Sequence, residues 1–82
     1  MFKNRLFSSG AAGVAPRIVL SGENRVLIEK HRGILDYTGD LLTVRLEKGC
    51  VSIIGQELQI IEYGALDMII YGKIRSLEFF NV

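Results

Sequence analysis

The chain has one cysteine, one proline and one histidine among 82 residues, and its charges nearly cancel, with 10 basic against 9 acidic side chains and a net charge of +1. Each scarcity excludes something. A lone Cys50 cannot form an internal disulfide, which points to a reducing compartment and a cytoplasmic location. One histidine and one cysteine without a second pair are too few for a metal site. A balanced charge leaves no electrostatic footprint for nucleic acid. The apolar runs are too short and too often broken by charge to span a bilayer, and the first residues lack the apolar stretch and cleavage site of an export signal. There is no nucleophile elbow, phosphate loop or dinucleotide fingerprint, because the glycines punctuate strands and open no helix. Asp36, Asp40, Glu57, Glu62, Asp67 and Glu78 are scattered as solvating groups are, not paired for acid–base work. No catalytic residue, metal or cofactor is expected, and the chain does not read as an enzyme.

What the chain has in quantity is aliphatic residues and glycine. Hydrophobic residues make up 49%, and Gly occurs 9 times. A unit of the form apolar-x-apolar-x-Gly ends at Gly22, Gly39, Gly55 and Gly72, spaced by 17, 16 and 17 residues. That period is cleaner than any helical spacing in the chain, so the reading is all-β, built from repeated strand units. Eight short strands are expected: Arg17–Ser21, Arg25–Lys30, Ile34–Thr38, Leu41–Glu47, Cys50–Ile54, Glu57–Tyr63, Asp67–Tyr71 and Ile74–Phe80. Between them, Gly22, Gly33, Gly39, Gly55 and Gly72 mark structural turns. Pro16 lacks an amide donor and suits the first position of an edge strand, so it divides the chain. Residues 1–15 form a basic, amphipathic N-terminal segment, and residues 16–82 a single β domain.

Two architectures accommodate two strands per 17 residues. A β-solenoid-like stack places one coil per repeat with Gly at the corner. An antiparallel meander folds each repeat as a hairpin in a sandwich or barrel. The regular glycine period favours the stack; short turns such as Lys48-Gly49 suit hairpins equally. Leu42, Val44 and Leu46 alternate with Thr43, Arg45 and Glu47, which marks one core face and one wet face. Ile53-Ile54, Ile60-Ile61 and Met68 to Tyr71 break that alternation, so apolar groups fall on both faces of the C-terminal half. Candidate interaction residues are therefore Met68, Ile69, Tyr71 and Phe80, where another subunit would cover the sheet. His31 and Arg32 form a second candidate, since neighbouring imidazole and guanidinium can meet a carboxylate or phosphate. A plainer alternative is a turn in which both point to solvent or pair with Glu29.

The residues carrying these features resemble a known family. Pro16-Arg17-Ile18, Gly22, the run from Val26 to Leu35, Gly55 with Leu58 and Ile60, then Gly72-Lys73-Ile74 and Phe79 are similar to the YabP/YqfC family of sporulation proteins, and more to its YqfC branch. The most specific part is the Ile28-Glu29-Lys30-His31-Arg32-Gly33-Ile34-Leu35 turn. The resemblance implies a small non-enzymatic protein of endospore-forming bacteria, made during spore development. It also implies a membrane protein of the same programme as a partner, with at most peripheral membrane contact. Together with the strand repeat it leads to the expectation of a homo-oligomer, with a monomeric adaptor as the alternative.

Overall fold

In the computed structural model, residues 16–81 are described, and the expected N-terminal segment 1–15 lies outside them. The chain forms six strands: β1 (Arg17–Ser21), β2 (Arg25–Glu29), β3 (Ile34–Tyr37), β4 (Leu41–Leu46), β5 (Gly49–Tyr63) and β6 (Asp67–Phe80). They make one antiparallel sheet in the order β1-β2-β6-β5-β4-β3. Eight strands were expected; the last four join in pairs, because β5 and β6 each run on through a bend where a turn was read. The ladders are antiparallel throughout, as in the hairpin alternative and unlike coils stacked in a solenoid, whose strands pair in parallel; the sheet is nevertheless one open sheet, and not a simple meander, because β2 lies beside β6 and not β3.

The bend is the organising feature. Register slips between Ile54 and Gly55 and between Gln56 and Gln59 of β5, opposite Lys73, Ile74 and Tyr71 of β6. Bulges of this kind turn the direction of both strands. On one side of the bend, the β1–β2 hairpin pairs through β2 with the first half of β6. On the other, the β3–β4 hairpin pairs through β4 with the first half of β5. Both hairpin turns extend their ladders across it. The amides of Gly72 and Ile74 donate to the carbonyls of Asn24 and Glu23, at 3.0 and 2.9 Å, and those of Gly55 and Leu58 donate to Asp40 and Gly39, at 3.0 and 2.8 Å. The four glycines of the sequence repeat therefore lie at one place, two in hairpin turns and two in the bends they grip.

Two of them answer to space. A Cβ on Gly55 would collide with the carbonyl of Lys73, and one on Gly72, at φ +153°, would stand 2.7 Å from the Glu57 carbonyl oxygen. Glu57 itself sits at φ +55°, a left-handed conformation that costs a residue with a side chain about 1–2 kcal/mol.

The bent halves enclose one core. Val26 and Ile28 of β2 with Met68 and Ile70 of β6 come from one half, Leu42, Val44 and Leu46 of β4 with Val51 and Ile53 of β5 from the other, and Leu58 from the bend. Each fully buried side chain of this size contributes about 1.5–3 kcal/mol. On the outer face, Ser52 is 6% exposed and its hydroxyl lies 2.9 Å from that of Thr43 on the adjacent strand.

Candidate functional site

Three loops converge at the end of the sheet opposite the bend. Lys30, at φ +63°, turns the chain out of β2 and across to β3. The amide of His31 donates to the Leu66 carbonyl at 2.9 Å, in the turn between β5 and β6. Arg32 then joins β4, its amide donating to the Arg45 carbonyl at 2.7 Å. His31 thus stitches together the two halves.

Its side chain completes that stitch from inside. His31 is 3% exposed. The Gly33 amide donates to Nδ1 at 3.0 Å, so the proton resides on Nε2, which donates to the Gly64 carbonyl at 2.9 Å. The Tyr63 ring lies 5.1 Å away, centroid to centroid. With both nitrogens occupied, His31 and Arg32 do not act as an adjacent pair. The solvent-pointing alternative is corrected for His31 as well, since burial of its ring lets it bond two backbone groups that water would otherwise have to satisfy. Arg32 is exposed and pairs with Glu47 rather than Glu29, which instead faces Arg17 at 3.7 Å. The outcome is an open groove of about 650 Å³ lined by Lys30, Arg32, Glu47, Tyr63 and Leu66 over the buried imidazole.

The stretch from Met68 to Tyr71 divides by alternation. Met68 and Ile70 are fully buried in the core, so Met68 presents nothing to a partner. Ile69 is half-buried on the outer face beside Leu27, and Tyr71 is exposed, its hydroxyl 3.4 Å from the Asn24 amide nitrogen.

A third surface lies at the end of β6. Phe80 opposes Cys50 on the outer face, and Phe79 opposes Val51 on the core face. Both are exposed, Phe79 at 65% and Phe80 at 47%. Phe79, Tyr63 and Leu66 are not among the interaction candidates read from the sequence, where Phe79 enters only through the family resemblance. An adjacent Phe-Phe pair in a strand must put one ring on each face, and that signal was available. Among the described residues, no three of His, Cys, Asp and Glu come together as a metal site would need, and no helix is long and apolar enough to cross a membrane.

These features define a small, open antiparallel β protein whose only histidine braces its loops and which exposes Tyr63, Phe79 and Phe80 at the ends of its two long strands. The chain matches the model of the YabP family over residues 14–81 and belongs to that family. Membership suggests a sporulation-related role. No curated protein and no solved structure matches the chain.

Proposed function

We propose that this chain is a non-enzymatic structural and assembly protein of bacterial endospore formation, acting by self-association or by docking on a membrane-protein complex of the sporulating cell. The observation that carries this reading is an open sheet whose last strand bears two exposed phenylalanines, Phe79 and Phe80. Unpaired strand edges with apolar side chains are templates for another chain. On this reading the protein works in the cytoplasm of the sporulating cell, at most peripherally on a membrane, without cofactor or nucleic acid. Removing it from an endospore-forming host should lower the yield of heat-resistant spores and leave vegetative growth unchanged. An unaltered spore yield would overturn the proposal.

A second reading, a monomeric adaptor, draws support from the groove at the loop end. There the exposed Arg32–Glu47 pair is flanked by Tyr63 and Leu66, at 56% and 61% exposure. Charged groups beside aromatic and aliphatic ones are the composition of a protein-binding patch. Arg32→Glu should then abolish partner capture while oligomer mass stays the same.

A further inference from the structure

We propose that the Ser76–Phe80 edge of β6 is where a second copy binds, the two strands pairing antiparallel about a two-fold axis at Leu77. This rests on the self-association reading above and specifies its surface.

Among the described residues the bent sheet has four open edges: β1, β3, the second half of β5 and the second half of β6. Three carry devices that discourage pairing. Pro16 precedes β1, and Arg17 opens it in an ion pair with Glu29. β3 has four residues and a register slip at Leu35. The β5 edge slips twice, at Gln56–Gln59 and Ile60–Glu62. Proline, charge, shortness and bulges are the means by which edges are kept from pairing. The fourth edge has neither proline nor bulge over Ser76–Phe80, whose ladder with Cys50–Ile54 is in unbroken register; its single charge there is Glu78, and it bears the most exposed large apolar side chain described, Phe79.

Charge along the strand selects the partner and its direction. Lys73 and Arg75 precede Leu77, and Glu78 follows it. A second copy laid antiparallel runs the cationic half of each strand along the half of the other that holds its one acidic residue, whereas a parallel copy would align like charges. Two-fold pairing keeps like faces together, so the register is confined to a few choices. Centring on Glu78 would place two carboxylates opposite each other, which is unfavourable. Centring on Leu77 instead sets Leu77 against Leu77 and Glu78 against Ser76, with no like charges opposed.

The test uses the full chain with Cys50→Ser, so that the native thiol does not interfere. Under mild oxidation, Leu77→Cys should form a covalent dimer and Ser76→Cys should not, since the axis brings only position 77 against itself. Separately, Phe79→Lys should halve the mass measured in solution with its unfolding midpoint retained, while Ile61→Lys on the β5 edge leaves the mass unchanged. If the parent associates but Leu77→Cys fails to cross-link and Phe79→Lys keeps the associated mass, the β6 edge is refuted and self-association stands. A parent chain that stays monomeric overturns both.

Discussion

His31 Nε2 donates to the carbonyl of Gly64 across 33 positions of sequence, tying the β2–β3 crossing to the β5–β6 turn at 2.9 Å. Replacing His31 by Ala would leave that carbonyl and the Gly33 amide without their partner in a poorly hydrated place. The expected loss is about 2–3 kcal/mol in urea unfolding. Arg32→Ala, one residue on, breaks only an exposed ion pair and should cost less than about 1 kcal/mol. Equal losses for the two would contradict the structural role of the imidazole.

The repeat glycines should respond unequally to alanine. Gly55→Ala and Gly72→Ala drive a methyl into neighbouring backbone and should each cost about 2–4 kcal/mol, while Gly39→Ala meets nothing within 4 Å and should change stability by less than about 1 kcal/mol. Thermal unfolding of the three variants distinguishes this from a repeat in which every glycine has the same duty.

Glu57 holds a left-handed conformation in an exposed bulge. Glu57→Gly removes the steric cost and should stabilise the fold by up to about 1 kcal/mol, the flexibility glycine adds to the unfolded chain offsetting part of the gain. Glu57→Val should do the opposite. A lower midpoint for the glycine variant would contradict the conformation assigned to the bend.

Thr43 and Ser52 satisfy one another across β4 and β5. Thr43→Val should therefore leave the buried Ser52 hydroxyl unpaired at a cost of about 1–2 kcal/mol, and adding Ser52→Ala should recover much of that loss. Additive losses in the double variant would show the two hydroxyls to be independent.

Much of this fold was legible in the residues, and the failures have physical causes. Alternation of Leu42, Val44 and Leu46 placed the core face of β4, because a half-buried strand must alternate. The glycine period located four points of chain reversal or bending. It could not say that two are turns and two are bends within long strands, since a glycine demanded by close approach, as at Gly55, looks the same in sequence as one demanded by a turn. His31 was misread for a related reason. Its flanking Lys30 and Arg32 suggest solvent, but the left-handed Lys30 rotates the chain so that the imidazole enters the interior. Met68 and Ile69 could not be assigned to inner and outer faces until the register with β2 was known.

The claim that this chain works by associating is tested most directly by its mass in solution. Light scattering on the full chain, across a hundredfold range of concentration, should give at least twice the 9.2 kDa of one copy at the upper end and fall on dilution. A mass of 9.2 kDa at every concentration would contradict the account.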